Sequence, residues 1–458
     1  MLARLQQFVA VVSEGAVVAT QATGGRIDQV FVDGNPGSQE LYARARRVIA
    51  GGVTHDVRVH SPFPVMVDRA EGSRKWDVDG NEYIDYTMGH GALILGHAHP
   101  IPTQAAIAQL SRGTHYGASH EIETAWAEQI CELMPSVERV RFTGSGTEAT
   151  LMAMRLARAH TGRERIVKFH YHFHGWHDFA HVAQSDPLEV PMSAGIPQAV
   201  QDTVTGIPTD LDRVREELAK GDVAGLIVEP TGAGWGAVPL DPAFVKALPG
   251  LCREHGTVFI LDEVVTGFRL SPGGYQALHD VTPDLTTMAK VLAGGLPGGC
   301  VGGRADILQR LELRGDPRWD RGQRMAHPGT FNGNPLSAAT GVAVLRHIAD
   351  GAVHAQIDAQ TERLRRGIQD VFDRHDLGAI AYGESSYFHV AMNGTPSRSG
   401  MSGDDGAALR RALHSHGVHI MTSGGLLSTA HTDDDIDRTI EAFDASVRDL
   451  EADGLVGS

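Results

Sequence analysis

Short apolar runs alternate with helix-like stretches through the middle of this chain. The runs fall at residues 139–142, 165–169, 225–228, 257–261 and 285–288. Strands that are apolar on both faces and alternate with helices are typical of a mainly parallel sheet in an α/β domain. We therefore predict such a domain, and we expect its ligands to bind at the carboxyl ends of the strands.

The two ends of the chain have a weaker pattern. They predict a poorly patterned extension, one helix that stops at a glycine pair, and three short strands. Beyond about residue 335 the pattern also predicts amphipathic helices that run to the end of the chain. In chain order, the extension, the helix and the strands fall at 1–35, 38–50, 63–67, 74–76 and 387–392, and the last helix begins at Asp433.

The composition limits the partners and the location. The 458 residues are 42% hydrophobic with a net charge of −16, which indicates a globular protein and disfavours binding to nucleic acid or anionic lipid. The apolar run at 8–12 is too short for a secretory signal, and no window approaches the roughly 18 apolar residues of a membrane span. Three widely spaced cysteines without a C-x-x-C motif indicate reduced thiols. We therefore expect a cytoplasmic protein that binds neither nucleic acid nor a membrane.

A glycine-rich segment, Phe-Thr-Gly-Ser-Gly-Thr-Glu-Ala at 142–149, follows a predicted strand and opens a helix. Its glycines let backbone N–H groups approach an anion, and the helix N-terminus adds about half a positive charge. The segment therefore predicts a phosphate site. Its spacing also fits a dinucleotide fingerprint with Glu164 about twenty residues further on, so an NAD-dependent dehydrogenase is the alternative from another class. In such folds, however, the acid ends the second strand, whereas Glu164 precedes it.

Two further motifs place charged side chains at strand ends. The run 259–263 ends in Asp262 and a second acid, and a buried aspartate needs a charged or hydrogen-bonding partner. A protonated pyridine nitrogen is such a partner. Lys290 is one of only five lysines, and it follows an apolar run and precedes a glycine-rich loop. Burial there favours the neutral amine that Schiff-base lysines require.

Each of these motifs alone has an ordinary explanation, since Asp262 could cap a helix and Lys290 could extend its amine to the surface. In this order and with further motifs, they resemble the class III aminotransferases, most closely the glutamate-1-semialdehyde aminomutase branch. The resemblance covers about residues 38–447. Its motifs lie at 53–58, 76–81, 95–100, 144–149, 173–175, 228–230, 262–264, Lys290 and 327–335.

The resemblance implies an enzyme that uses pyridoxal 5'-phosphate (PLP) and has the type I fold of PLP-dependent transferases. This α/β fold has a large domain with a mainly parallel mixed sheet and a small α+β domain built from both chain ends. After the extension 1–37, the implied bounds are 38–85 and 336–458 for the small domain and 86–335 for the large one. The resemblance also implies small amino acid and oxo acid substrates, and a homodimer whose subunits share each active site.

Roles for individual residues follow from the same resemblance. Lys290 is expected to be the catalytic residue and to hold PLP as a Schiff base, and Asp262 is expected to pair with the pyridine nitrogen. Arg58 is expected to bind a substrate carboxylate, with His90 in the substrate pocket. Thr330 is expected to reach the phosphate of the neighbouring subunit. The other expected cofactor contacts come from the phosphate loop, the two ring faces and the loops beside them: Ser145, Gly146, Thr147, Phe173, Val264, His174 and Glu229.

Several positions depart from the aminomutase pattern. Gly144 and Gly234 stand where that branch has Asn, Phe173 replaces the stacking Tyr, His90 replaces an aromatic residue, and the stretch 421–426 is shorter. These changes surround the substrate and leave the cofactor motifs intact. They favour a transaminase that releases an oxo product, with intramolecular aminomutase chemistry as the alternative. The motifs around His90 and Phe173 are also similar to those of D-phenylglycine and β-amino-acid aminotransferases.

Four histidines at close spacing, His170, His172, His174 and His177, could indicate a metal site. Alternate residues of a strand share a face, so three of them could converge. Neither an acid nor a thiol completes the set. We therefore expect these residues to form a polar wall of the site and to bind no metal.

Overall fold

The computed structural model describes residues 25–397, 401 and 403–456. The chain divides into two compact units. The large unit contains Gly89–Ile94 and His99–Gln356, and the small unit contains the described residues up to Met88, Leu95–Ala98 and the described residues from Ile357 onward. Residues 1–24 of the predicted extension, with the apolar run at 8–12, lie outside the described residues.

Fifteen strands lie within the part of the chain that the structure describes. They are β1 (Val67–Glu71), β2 (Arg74–Asp77), β3 (Glu82–Asp85), β4 (Arg139–Thr143), β5 (Arg165–Phe169), β6 (Val204–Ile207), β7 (Val223–Val228), β8 (Val238–Pro239), β9 (Val258–Glu263), β10 (Leu285–Ala289), β11 (Gly299–Gly303), β12 (Ile380–Tyr382), β13 (Tyr387–Ala391), β14 (Val418–His419) and β15 (Gly424–Leu426). The helices of six or more residues are Arg26–Gly34, Pro36–Ala45, Pro100–Leu110, Glu121–Leu133, Gly146–Thr161, Leu211–Leu218, Pro242–Glu254, Gly274–His279, Pro317–Gly322, Pro335–Ile348, Ala352–Arg374, Asp404–Ser415 and Asp433–Ala452. None of these described helices combines the length and the apolar character that crossing a membrane requires.

A seven-stranded sheet forms the centre of the large unit, in the order β4-β11-β10-β9-β7-β5-β6. β11 is antiparallel to both of its neighbours, and every other pairing is parallel. Every position of β7, β9 and β10 is buried, as expected for central strands covered on both faces. All five predicted runs overlap a strand of this sheet, so the predicted α/β domain with a mainly parallel mixed sheet is confirmed.

Two strands of the sheet, β6 and β11, do not follow from the apolar pattern. β11 reads Gly-Cys-Val-Gly-Gly, and glycine is rare in strands because it has no side chain to pack. The tertiary structure explains the glycines. A Cβ at Gly299 would lie 2.3 Å from the carbonyl oxygen of Ser145, and one at Gly302 would lie 2.7 Å from Cγ1 of Val137. β11 therefore needs glycine in order to pass close to the loop that follows β4.

The small unit is built from both parts of the chain that flank the large unit. β1, β2 and β3 pair antiparallel, and β14 from the C-terminal part adds a parallel pairing with β3. A second antiparallel sheet has the order β12-β13-β15. The predictions of β2, β13 and a final helix from Asp433 are confirmed. The strand predicted at 63–67 was wrong, since β1 begins only at Val67, because Pro62 and Pro64 have no N–H to donate to a neighbouring strand.

The predicted extension also contains a helix, Arg26–Gly34, which the sequence pattern did not reveal. Ile27 and Phe31 are buried, and Phe31 packs against Phe63 with ring centroids 5.4 Å apart. Asp28 forms a buried ion pair with Arg411, with 2.5 Å between Oδ1 and Nε. A partner nearly four hundred residues away leaves no local signal in the sequence, which is why the extension looked unpatterned.

Three histidines lie together inside the small unit. The ring centroids of His414 and His419 are 4.3 Å apart, and that of His60 is 6.3 and 6.4 Å from them. Burial lowers the pKa of His60 to about 4, helped by the neighbouring cations, and it holds the pKa of the other two well below the usual value. The cations around the cluster are Lys75, Arg410 and Arg411, and Asp85 opposes them at His419. All three rings are therefore neutral at pH 7.

We expect the protein to lose stability in mild acid because of this cluster. An unfolded histidine has a pKa near 6.5, so between that value and about 4 the unfolded chain binds more protons than the folded one. The stability that each neutral histidine contributes is fully present above pH 6.5 and is lost as the pH falls toward 4. The slope is at most about 1.4 kcal/mol per pH unit for each histidine. Urea unfolding measured between about pH 7 and pH 5 gives this slope.

His60→Gln should lower the slope of the free energy of unfolding against pH by the contribution of one histidine. This holds whatever the substitution does to the stability at neutral pH. His255→Gln, which changes a histidine outside the cluster, should leave the slope as in the unchanged protein. Equal slopes in all three proteins would assign the acid sensitivity to other groups.

Candidate active site

The sequence motifs of the large unit follow strand ends at one edge of its sheet. Phe173 and His174 follow β5, Glu229 follows β7, Asp262 lies near the end of β9, and Lys290 follows β10. The phosphate segment follows β4, which runs in the same direction because β11 is antiparallel to both β4 and β10. Carboxyl ends of parallel strands lie at the same edge, so the sheet gathers these motifs in one region.

The segment after β4 begins the helix Gly146–Thr161, as predicted. Ser145 is the N-cap residue, and its Oγ accepts a hydrogen bond from the N–H of Glu148 at 3.3 Å. The first N–H groups of a helix have no partner within the helix, and the helix dipole makes this end positive. A Cβ at Gly175 would lie 2.7 Å from Oγ1 of Thr147, so glycine lets the loop after β5 approach the same helix end. The arrangement suits a bound anion.

Asp262 is a buried carboxylate held by three donors. Oγ1 of Thr287 donates to Oδ1 at 2.9 Å, and the N–H of Val264 donates to the same oxygen at 3.1 Å. Nδ1 of His174 lies 2.6 Å from Oδ2, and because a carboxylate only accepts, the imidazole donates this bond. Thr287 is also the residue of β10 paired with Asp262 in the parallel register. These three bonds fix the orientation of the carboxylate. The helix cap that would be the ordinary explanation for Asp262 is therefore not needed to account for its position.

His174 is completely buried, and burial lowers its pKa despite the neighbouring Asp262. Its ring is therefore neutral, and with Nδ1 donating to Asp262 its Nε2 is an acceptor. This Nε2 is buried and has no hydrogen-bond partner among the described residues. Buried polar atoms without a partner are uncommon in folded proteins, and they frequently mark functional sites.

Lys290 starts a short 3-10 turn with φ 55°, a left-handed conformation that is rare for a residue with a side chain. Such strain is found mainly at functional sites, where the surrounding structure enforces it. Burial lowers the pKa of Lys290 to about 8, against the negative charges of Asp262 and Glu229, which raise it. A substantial share of the amine is therefore neutral near that pH, and the neutral amine is the form that attacks a carbonyl carbon.

Glu229 joins two loops beside Lys290. Its Oε1 accepts a hydrogen bond from the N–H of Phe173 at 2.5 Å, and its Oε2 accepts one from the N–H of Trp235 at 3.1 Å. The N–H of Glu229 itself donates to Nδ1 of His172 at 3.0 Å. One carboxylate thus sets the backbone positions of both aromatic residues.

Sequence reasoning missed three residues of this region: Thr287, Trp235 and Arg269. Thr287 had a signal, because it is one of two threonines in a short strand that is buried throughout. Trp235 also had one, because it stands alone among three glycines at 232–236. Arg269 is fully buried, its Nε donates to the carbonyl oxygen of Gly91 at 3.0 Å, and burial lowers its pKa to about 9. Its charge lowers the pKa of Lys290.

The remaining predicted residues lie in different surroundings. Val264 lies against the phosphate loop, since a Cβ at Gly146 would be 2.9 Å from its Cγ1. His90 adopts φ 55° in the segment that precedes Gly91. Thr330 is exposed, and its carbonyl oxygen accepts a hydrogen bond from Nε2 of His115 at 2.5 Å. Arg58 belongs to the small unit, where it is exposed and its Nη1 donates to Oγ1 of Thr54 at 3.0 Å.

Three of the four clustered histidines have separate hydrogen-bond partners in the structure. His172 accepts from the N–H of Glu229, and His174 pairs with Asp262. Nε2 of His177 lies 3.2 Å from Oγ1 of Thr150. Within the described ranges no group of three or more His, Cys, Asp or Glu side chains is placed to hold a metal ion.

These features fit the group that the resemblance implies. The start of the helix Gly146–Thr161 suits the phosphate, and Asp262, oriented by three donors, suits a protonated ring nitrogen. The amine of Lys290, with its lowered pKa, suits an aldehyde carbon. The unpartnered Nε2 of His174 provides an acceptor beside Asp262.

Comparison with known proteins agrees with this fit. The family profile "Aminotransferase class-III" matches residues 55–445. The glutamate-1-semialdehyde 2,1-aminomutase of Methanopyrus kandleri is 38% identical over 431 residues, which cover 91% of this chain and 98% of the relative. An omega-transaminase structure from Sphaerobacter thermophilus has a TM-score of 0.84 and 33% identity, covering 92% of this chain and 99% of that one. A β-phenylalanine aminotransferase from Variovorax paradoxus has a TM-score of 0.81 and 30% identity, covering 93% and 98%.

Proposed function

Since the chain belongs to the class III aminotransferases, which are PLP-dependent enzymes of fold type I, we propose that it transfers an amino group from an amino acid to an oxo acid. This membership confirms the predicted fold class, cofactor and enzyme class. It also argues against the NAD-dependent dehydrogenase that the spacing of the phosphate segment had left as an alternative. In the proposed reaction the donor carbon loses its amino group and two electrons and becomes a carbonyl. The acceptor carbonyl carbon gains both and becomes an amine.

One observation carries the proposal: a lysine with a pKa of about 8 lies at the same sheet edge as the start of the helix Gly146–Thr161 and Asp262. PLP, when bound, supplies a cationic ring that accepts electrons from the substrate carbon. Nζ of Lys290 would hold the cofactor and then remove the proton from the amine-bearing carbon of the substrate. In the second half of the reaction the same Nζ would return a proton to the acceptor carbon.

The other residues would bind and orient. The N–H groups and hydroxyls of Ser145, Gly146 and Thr147 would bind the phosphate. Phe173 and Val264 would cover the two faces of the ring. Asp262 would pair with the ring nitrogen.

Two residues would keep that arrangement in place. His174 would hold the Asp262 carboxylate through the 2.6 Å bond to Oδ2. Glu229 would keep Phe173 in position through its backbone N–H.

We favour transfer between two molecules over isomerisation of one. An aminomutase has to retain its intermediate while the amino group returns to the neighbouring carbon, which requires a closed pocket with groups that hold it. Gly144 and Gly234 offer no side chain for this purpose. The names of the relatives do not distinguish the two reactions, because an aminomutase is 38% identical and two transaminase structures are 33% and 30% identical. The substitutions around the substrate therefore decide our choice.

A single-turnover experiment separates the two reactions. The holoenzyme mixed with an amino acid and no acceptor should change the absorbance of its cofactor and release one oxo acid per active site. Conversion of glutamate-1-semialdehyde to 5-aminolevulinate, with no added acceptor and no free oxo product, would show that the chain is an aminomutase.

Arg58 is proposed to bind the substrate carboxylate. A guanidinium donates two parallel hydrogen bonds to a carboxylate, and hydrogen bonds to charged groups are worth about 1.5–3 kcal/mol each. Arg58→Ala should therefore lower kcat/KM for amino acids by at least about tenfold. Arg58→Lys should not restore it, because an ammonium cannot form the paired bonds. Steady-state kinetics with an amino acid and with the matching amine that lacks a carboxylate measure the effect.

Arg47→Ala is the control for Arg58, since it removes an exposed arginine of the same unit. It should leave both substrates unaffected. Equal losses of Arg58→Ala with the amino acid and with the amine would show that Arg58 does not bind the carboxylate.

We also propose a homodimer with shared active sites, in which Thr330 reaches the phosphate bound by the partner. Large apolar side chains are exposed on the large unit at Ile107, Leu110, Tyr116 and Phe331, as expected for a surface that a second copy covers. Sedimentation equilibrium should give a dimer, and Phe331→Asp should shift it toward the monomer. If the enzyme without substitutions were a monomer with full activity, the shared site would be refuted.

The three free cysteines support the proposed cytoplasmic location.

A further inference from the structure

We propose that Thr150 is a positioning residue of the cofactor site: its hydroxyl holds His174, which orients the carboxylate of Asp262 toward the ring nitrogen. The inference rests on the proposed placement of PLP, and it is the same whether the amino group moves between two molecules or within one. It is carried by the hydrogen bonds of the Thr150 hydroxyl, by the two bonds of His174 and by the imidazole of His177.

Thr150 is a polar residue on an apolar face. Seven residues of the helix Gly146–Thr161 are buried, and Thr150 is the polar one among them. The other six are Ala149, Met152, Ala153, Met154, Leu156 and Ala157. A buried hydroxyl is unfavourable unless it forms hydrogen bonds, and a valine would fill nearly the same space without this penalty. The partners of the hydroxyl therefore have to explain its presence.

The hydroxyl of Thr150 has one proton and three carbonyl oxygens near it. Its Oγ1 lies 2.6 Å from the carbonyl oxygen of His174, and 3.0 and 3.2 Å from those of Thr147 and Gly146 in its own helix. A bond back to its own helix is the ordinary arrangement for a helical threonine. The distance to His174 is the shortest of the three and is that of a good O–H···O bond. We therefore assign the proton to the bond with His174, in the loop that follows β5.

His177 donates to the same hydroxyl. Its Nε2 lies 3.2 Å from Oγ1 of Thr150. Burial lowers the pKa of His177 to about 3, so its imidazole is neutral. Because the hydroxyl proton is directed to His174, Nε2 has to carry the ring proton and donate it to Oγ1. Two successive hydrogen bonds in a buried site polarise and strengthen each other.

His174 connects the hydroxyl with Asp262. Its carbonyl oxygen accepts the bond from Thr150, and its Nδ1 donates to Oδ2 of Asp262 at 2.6 Å. A Cβ at Gly175 would lie 2.9 Å from Cα of Thr147, so this loop is packed against the start of the helix as closely as glycine allows. The helix end that suits the phosphate is thus joined to the carboxylate that suits the ring nitrogen. Without the hydroxyl, His174 should hold Asp262 less firmly.

Protonation of the ring nitrogen is the readout that a merely structural role would not change. Holoenzyme is prepared with PLP labelled with 15N in the ring, and the chemical shift distinguishes the protonated from the unprotonated nitrogen. Near pH 8 the unchanged enzyme should give the signal of the protonated nitrogen. Thr150→Val should move part of this signal to the unprotonated position, and Asp262→Asn should move most of it. Thr150→Ser, which keeps the hydroxyl, should restore the signal of the unchanged enzyme.

Kinetics in two backgrounds give a second measurement. Thr150→Val should lower the rate of the cofactor absorbance change at saturating amino acid by about tenfold. The half-saturating concentration should stay within about twofold, because the substitution acts on the ring and not on substrate binding. In the Asp262→Asn enzyme the same substitution should lower the rate by at most about twofold, since Thr150 acts through Asp262. A merely structural role would lower it by the same factor in both backgrounds.

Thr257→Val is the matched control. Thr257 is another buried threonine of the large unit, and its hydroxyl donates to the carbonyl oxygen of Val223 at 3.1 Å. Both residues lie at the amino ends of their strands, which is the sheet edge opposite to the site. The substitution should lower the melting temperature and leave the ring signal and the rate unchanged.

Circular dichroism and the cofactor absorbance show whether each variant folds and binds PLP. If Thr150→Val does not fold, His177→Leu takes its place, because it removes the donor to Oγ1. It should move the ring signal in the same direction and lower the rate by about threefold.

The outcomes separate this inference from the proposals on which it rests. If Asp262→Asn moves the ring signal and Thr150→Val does not, the inference is overturned and the placement of PLP stands. Equal rate losses of Thr150→Val in both backgrounds also overturn it. If Asp262→Asn itself leaves the signal unchanged, the placement of PLP is wrong and the inference falls with it. An enzyme that proves to be an aminomutase should give the same ring signals, so failure of the transaminase proposal does not affect this test.

Discussion

Lys290→Ala is expected to abolish amino transfer, with kcat reduced by at least about 10⁴-fold. The variant loses the amine that holds the cofactor and the base that moves the substrate proton, and a positioned base alone contributes about 10²–10⁴-fold. All five lysines lie within the described residues, and Lys290 is the one that directly follows a strand of the seven-stranded sheet. Single-turnover release of oxo acid from purified variant and unchanged enzyme measures the loss. In the unchanged enzyme, borohydride should attach a pyridoxyl group to the peptide that contains Lys290.

Lys168 provides the sharpest control for this experiment. It is a fully buried lysine of the large unit, it lies on β5, and its Nζ donates to the carbonyl oxygen of Ala180 at 2.6 Å. Lys168→Met should lower the thermal stability and leave the pyridoxyl label on Lys290. Lys246→Ala, at the surface, should change neither property. The hypothesis that Lys290 holds the cofactor is wrong if borohydride labels Lys168, or if the Lys290→Ala enzyme remains active.

Asp262→Asn is expected to lower kcat by about 10²-fold or more, which corresponds to about 2.7 kcal/mol of transition-state stabilisation. A neutral amide does not stabilise a protonated ring nitrogen, so the ring accepts electrons from the substrate carbon less readily. Asparagine has almost the same shape and can keep the bond from Thr287, so the fold should be preserved. The rate of the cofactor absorbance change on adding an amino acid measures the effect.

Glu263 is the matched control, because it is the next residue of the same strand and is equally buried. Its carboxyl group accepts hydrogen bonds from Oγ1 of Thr266, from the N–H of Tyr275 and from Gln276, and burial raises its pKa. Glu263→Gln should therefore affect the melting temperature and leave kcat within a few fold. If the two variants lose activity equally, Asp262 has no special part in the chemistry.

Features that depend on local sequence could be predicted. The apolar runs of β4, β5, β7, β9 and β10 identify the sheet because burial on both faces requires continuous apolar sequence. The helix Gly146–Thr161 could be predicted with its start and its end, because its cap Ser145 and the left-handed Gly162 are local signals. Lys290 and Asp262 stood out because charged residues are rare at the ends of such strands.

Features that depend on distant partners could not be predicted. The donor from His174 to Asp262 joins residues 88 positions apart, and the two bonds of Glu229 to Phe173 and Trp235 join separate loops. The glycines of β11 make this strand hard to recognise in the sequence. They are required because the backbone of Ser145 lies too close to leave room for a side chain. The helix Arg26–Gly34 is explained only by its burial in the small unit and its ion pair with Arg411.

The sequence by itself therefore determined the family, the sheet and the identity of the chemical groups. The signals used for this were local: helix caps, apolar periodicity and rare buried charges each concern residues that are close together in the sequence. Only the tertiary structure decided how those groups are oriented: the donors around Asp262, the conformation of Lys290 and the hydrogen bonds of Glu229 to Phe173 and Trp235. Orientation depends on hydrogen bonds between segments that the chain brings together only when it folds, because a buried donor or acceptor must find its partner wherever the fold places one.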